Sequence, residues 1–242
     1  MSLTLEQRKL KRTGFFPAFF IGGLLAASFP ILNTAVRPDQ FIYQPLPALD
    51  ILMDANWQMI AMLNLSFLVV GSCIMYHTEF SGRAMQKMEA LPQRTGNLFA
   101  AKTILLIASL IFVLLLEMAS LAFCSYHWFS VDNGFWMDLL KTFGYELALF
   151  LPASILVMVI ASLCPNMWIS LGISVICLFV ATMLPTDSFI FSLFPFAMPF
   201  QTLTGAPKVS VAPISVLMAA GGETILFGVA EAVLGKIRRN LA

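Results

Sequence analysis

Charge is the scarcest property of this sequence: Lys, Arg, Asp and Glu make up 11% of its 242 residues, against about a quarter in an ordinary soluble domain. Histidine is nearly absent. His77 and His127 are the only two, and they fall on opposite sides of the expected membrane, so they share no metal or haem. The four cysteines, Cys73, Cys124, Cys164 and Cys177, are scattered and form no C-x-x-C pair, which excludes a zinc framework and points to buried single thiols. No H-E-x-x-H, paired-glutamate or G-x-x-x-x-G-K-[ST] pattern occurs. The stretch "GISV" around Ser174 resembles a serine-nucleophile motif, yet no histidine follows it to act as base. A formal net charge of +1 offers nucleic acid no basic face. No catalytic, cofactor-binding or metal-ligating residue is therefore expected in this chain.

What is present is apolar length. Hydrophobic residues make up 59% of the chain. About twenty consecutive apolar residues cross a hydrocarbon layer of roughly 30 Å, where every backbone polar group must be bonded inside the segment. Six stretches qualify: 14–36, 57–76, 98–123, 139–164, 167–184 and 211–234. The run after Gly14 continues to Val36 and reads as a span in place of a cleaved leader. The expected fold is an all-α integral membrane protein, a single transmembrane domain over 1–242.

Basic residues set the orientation. Arg8, Lys9, Lys11 and Arg12, then Arg83, Lys87, Arg94 and Lys102, then Lys236, Arg238 and Arg239 fall on one side of six spans. Arg37, Lys141 and Lys208 fall on the other. Eleven against three places both termini in the cytoplasm. On that side the turn "CPN" at 164–166 is too short for any domain, and Pro165 stops the helix before it.

Two connections are unusual. The external stretch "PTDSFIFSLFPFAMPFQTLTGAPK" carries Phe189, Phe191, Phe194, Phe196 and Phe200 broken by Pro195 and Pro199. It is too apolar for water and too interrupted to span, so it reads as a re-entrant or interfacial element, with Phe194, Phe196 and Phe200 as an external gate; an aromatic belt is the plainer alternative. The cytoplasmic stretch "EFSGRAMQKMEALPQR" places Phe80, Ala84, Met85, Met88 and Leu91 at helical spacing, with Arg83, Gln86, Lys87 and Gln93 on other faces, and Pro92 ends it. Glu117, Glu146 and Glu223 are intramembrane acids, each costing about 2.5 to 3.5 kcal/mol if charged near mid-bilayer. They either line one polar translocation cavity or are neutral and serve packing.

An acid soon after the second span, a glycine, a short helix, L-P, a basic residue and A-K opening the third span resemble the cytoplasmic connection of type-2 ABC exporter permeases. The matching residues are Glu79, Gly82, Leu91, Pro92, Arg94, Ala101 and Lys102. The resemblance implies a coupling helix, including Glu79, Phe80, Gly82, Arg83, Met85, Lys87, Met88, Leu91, Pro92 and Arg94, seated in a cytosolic ABC ATPase. It also implies two copies of that ATPase, which bind the ATP and Mg that this chain lacks motifs for, and a second permease subunit, identical or related. Small size and "GRAMQKMEALPQR" look most like lantibiotic-immunity permeases of the bacterial plasma membrane, which confer antimicrobial peptide resistance by expelling an amphipathic peptide or lipid-like substrate. Two alternatives remain open at this point: a membrane sensor or accessory subunit that binds a peptide or kinase, and an ion-coupled carrier using Glu117 and Glu223.

Overall fold

The computed structural model describes residues 3–42, 44–80, 95–131, 134–185, 189–203 and 212–241. Among them there is no strand. A short helix α1 (Leu3–Leu10) leads through Gly14, whose φ of +78° favours glycine, into α2 (Phe15–Val36). Pro38 then opens the brief α3 (Pro38–Ile42), the first helical position being where a missing N–H costs nothing. Next come α4 (Ala48–Phe80), α5 (Thr95–Trp128), α6 (Phe135–Leu163) and α7 (Met167–Met183), the single turn α8 (Phe189–Ser192) and α9 (Pro213–Leu241). A 3-10 turn at Met198–Phe200 lies between α8 and α9.

Five of these helices are long and apolar enough to cross a membrane, while α7 is a shorter apolar helix. The observed helices overrun the expected apolar stretches. Helix α4, the second expected span, starts at Ala48, nine residues before the expected Trp57, and α5, the third, runs on to Trp128. Hydropathy marks only the part of a helix that suits lipid. Outside it, intrahelical bonds continue without an apolar signature.

α4 is the spine. It packs against α2, α5, α6 and α7, and α2 lies along α5 over the longest shared stretch. The main core joins Phe19, Leu65, Leu68, Leu106, Leu110, Val113, Phe150 and Val157. Close approach is built from small residues: a Cβ on Gly71 would sit 2.8 Å from Leu106 Cδ1 and 2.9 Å from Phe19 Cε2, so α2, α4 and α5 meet where that side chain is missing. The hydroxyls of Ser66, Thr103, Ser109 and Ser154 donate to carbonyls one turn back, which satisfies them inside an apolar bundle. At the α6–α7 turn, Pro165 follows the last helical residues and the Asn166 side chain caps α7 by accepting from the Trp168 N–H at 2.9 Å. This is the tight antiparallel turn expected from "CPN".

The Phe-rich stretch turns back into the bundle. Phe196, Met198 and Phe200 are buried, the 3-10 turn packs on α4 and α6, and Phe200 meets Trp57 edge-on with ring centroids 6.2 Å apart. Gln201 Nε2 donates to Ser192 Oγ at 2.9 Å and ties the two ends of the stretch together. Helix α9 rests mainly on α6 through Val216 and Ala220. Only 11% of its most apolar window is buried, against 61% for α4.

Candidate functional site: a buried ring of four charges

Near one end of the bundle, four side chains from three helices close a ring of alternating charge. Glu6 and Lys9 lie one turn apart on α1, Glu79 is the next-to-last residue of α4, and Lys102 is in the first turns of α5. The Lys9 ammonium is 2.9 Å from Glu6 Oε1 and 3.1 Å from Glu79 Oε1. The Lys102 ammonium is 2.9 Å from Glu6 Oε2 and 3.1 Å from Glu79 Oε1. Lys102 also donates to the Met75 carbonyl at 3.2 Å. It lies 5.6 Å from the centre of the Tyr76 ring.

Glu6 and Lys102 are fully buried, Glu79 is 1% exposed, and only Lys9 reaches solvent. Two carboxylates and two ammoniums sum to zero. That balance makes burial tolerable, since a single ion taken out of water costs several kcal/mol unless paired and hydrogen-bonded. Burial pushes the Glu6 carboxyl up, but the bond from Lys9 and the charge of Lys102 outweigh it and hold the group below its ordinary value. Burial likewise opposes the charge on Lys9, and its bonds to Glu6 and Glu79 more than offset that, raising the ammonium.

Of the residues expected at the coupling connection, Glu79 faces inward as part of this ring, and Phe80 is half-buried against Tyr76 with ring centroids 6.2 Å apart. Both still belong to α4, so no separate helix has begun there. Gly82, Arg83, Met85, Lys87, Met88, Leu91, Pro92 and Arg94 lie outside the described residues. Glu79 and Lys102, near the two ends of that connection, stand 3.1 Å apart. Sequence reasoning missed Glu6 and Lys9. Their signal was an acid and a base at i and i+3 just before the fully buried Leu10, and it was masked because Lys9 counted only toward the basic cluster that sets orientation.

A second polar pair lies fifteen residues further along both helices, counting from Glu79 back to Asn64 and from Lys102 on to Glu117, or about 22 Å. Asn64 Nδ2 donates to Glu117 Oε2 at 2.6 Å, and both residues are fully buried. Glu146, buried on the neighbouring α6, acts electrostatically on Glu117. Glu223 is half-buried on the sparsely packed α9. Asn64 was not anticipated. Beyond this pair, Asn33 donates to Asn56 Oδ1 at 2.8 Å and links α2 to α4. Of the expected gate residues, Phe196 and Phe200 are in the core and Phe194 is half-buried, stacked on Phe196 with centroids 5.7 Å apart. Among the described residues, no group of three or more His, Cys, Asp or Glu is placed to hold a metal ion.

Residues 2–181 match the family model described as ABC-2 family transporter protein. The chain belongs to the ABC-2 transporter family. The match includes α1, α4 and α5, hence the whole charge ring, and ends within α7 before the Phe-rich stretch and α9. No curated protein and no solved structure matches the chain. As an ABC-2 protein it is a multi-pass, permease-type membrane component of a transporter, in a family that implies association with an ATPase subunit.

Proposed function

We propose that this chain is the permease subunit of an ATP-driven exporter, with six spans, both termini in the cytoplasm and α7 as a short fifth span. ATP and Mg are bound by two copies of a cytosolic ABC ATPase. The connection that follows α4, to about Leu91, docks on that ATPase as the coupling helix, and a second permease subunit, identical or related, completes the pathway. The observation that carries this reading is the charge ring within an ABC-2 chain: it joins the residue that opens the 81–94 connection to α1 and α5. Glu79 moves relative to Lys102 and Glu6 only by breaking ion contacts. A displacement imposed on the connection is thereby passed to the first helix and the third span.

The cargo is an amphipathic or antimicrobial peptide, or a lipid-like molecule, that leaves from the bilayer past the Phe-rich element. The bacterial plasma membrane and a role in lantibiotic immunity belong to this proposal. The test is co-purification with the ATPase encoded beside it and ATP-dependent efflux of labelled peptide from vesicles. Export is expected to require ATP. In Glu79→Gln, efflux should fall at least tenfold while the ATPase still binds. Loss of neither efflux nor stimulated ATP hydrolysis in that variant, or absence of any co-purifying ATPase, refutes the reading.

A further inference from the structure

The Asn64–Glu117 pair differs from the charge ring in one decisive respect: it has no cation. None of the ion pairs of Lys9, Lys102 and Lys141 includes Glu117, and Lys102 stands about four helical turns from it along α5. The pair itself leaves acceptors unmet. Glu117 Oε1 and Asn64 Oδ1 are buried and receive no hydrogen bond, and Glu146 Oε2 is in the same condition on α6.

A carboxylate without a partner cation in an apolar interior does not stay charged, because neutralisation by a proton costs less than burial of the ion. One proton also repairs the hydrogen bonding. It turns the Glu117 carboxyl into a donor. A half-turn of the Asn64 carboxamide, whose oxygen and nitrogen differ little in shape, then sets Oδ1 where Nδ2 stands. The 2.6 Å separation is short for N–H···O and ordinary for O–H···O. The turned amide has its N–H bonds free for a second acceptor.

The geometry points to Asn64 and Glu117 as a reversible proton-binding site, held as a carboxylic acid donating to a carboxamide across the α4–α5 contact. When α4 and α5 separate enough to admit water, the Glu117 O–H bond breaks heterolytically, its proton passes to that water, and the hydrated carboxylate remains. Closure reverses the step. Helix α2 carries no titratable residue along Phe15–Val36; α6 presents Tyr145 and Glu146, the latter acting on Glu117; α9 brings Glu223 and Glu231; and Glu6, Lys9, Glu79 and Lys102 are committed to the ring. The site is independent of the export reading, and either can fail alone.

Infrared difference spectroscopy on the purified chain in lipid, near neutral pH and exchanged between H2O and D2O, tests the site. A carboxylic-acid carbonyl band is expected that shifts in D2O, disappears in Glu117→Gln and changes frequency in Asn64→Leu. Wild-type protein without such a band overturns the proposal with no variant needed. A band that survives Glu117→Gln unchanged belongs to another acid and overturns it too. A band that never exchanges in D2O marks a permanently neutral packing group, which also defeats it.

Discussion

At the scale of single residues, Lys102 is the most consequential side chain. Lys102→Met removes the ammonium shared by Glu6, Glu79 and the Met75 carbonyl and leaves two buried carboxylates competing for Lys9. A loss on the order of 3 to 5 kcal/mol is expected, the range for breaking a buried pair from one side, read as a fall in thermal stability in detergent. Glu79→Gln added to Lys102→Met should recover part of that loss. Additive losses, with the double change costing the sum of the two single ones, would mean that Lys102 and Glu79 carry no coupling energy. Lys9→Ala should matter less, since Lys9 is 35% exposed and its attraction is screened. The direction of pH dependence follows from the ring itself. Glu6 titrates below its ordinary value of 4.5, so its contribution is present above that value and lost as pH falls through the lower folded value. Lys9 titrates above 10.5, so its contribution is present below that value and lost as pH rises beyond it. Helix α1 is thus expected to stay docked across the neutral range and to release only at the two extremes, as a spin-label distance between α1 and α4 would report. Constant distance at both extremes would show that α1 is held by Leu10 and its apolar neighbours alone.

At the scale of elements, two local devices can be tested. Asn166→Ala removes the cap of α7 and should cost about 1 kcal/mol, measured against the parent by thermal unfolding. Gly71→Leu forces a side chain into the space held by Leu106 and Phe19 and should separate α2, α4 and α5 far more severely than any change on the lipid-facing sides; a stable, fully assembled variant would contradict the close approach described. These elements also show what a sequence displays. Spans are legible because apolar length is a one-dimensional property, and the α6–α7 turn is legible because Pro165 and Asn166 act on their immediate neighbours. Glu6, Lys9 and Asn64 are not, because their roles depend on partners 53 to about 100 residues away. The ends of α4 and α5 beyond the apolar runs are illegible for another reason: polar residues there continue a helix without marking it. Glu117 could be singled out as an intramembrane acid, yet nothing near it in the chain indicated that a carboxamide on α4 would meet it.

At the scale of the molecule, the described side-chain polar contacts of α4 to other helices form four levels: Asn56 to α2, Asn64 to α5, Cys73 to α7, and Glu79 to α1 and α5. Only the last is ionic. The bundle is therefore fastened by charge at one end and by neutral hydrogen bonds through its middle, with α9 attached along a narrow apolar seam. Backbone hydrogen exchange in detergent should find α9 much less protected than α4. Equal protection would reveal that something else covers α9 in the particle measured. The family match spans residues 2–181, from α1 into α7, and stops before the Phe-rich stretch and α9.

The ring also fixes an order of events during synthesis. Lys9 meets Glu79 across a separation of 70 residues, and Glu6 needs Lys102, which is made later still. Until α5 has been made, α1 has its internal Glu6–Lys9 pair and the Lys9–Glu79 contact, but Glu6 lacks Lys102 and the ring stays open. Helix α1 leaves the ribosome ahead of α5 and completes its ring only after it. A chain arrested shortly before Lys102 should leave α1 open to protease, and one arrested well beyond α5 should protect it. The amino terminus is then a record of whether the third span was inserted correctly.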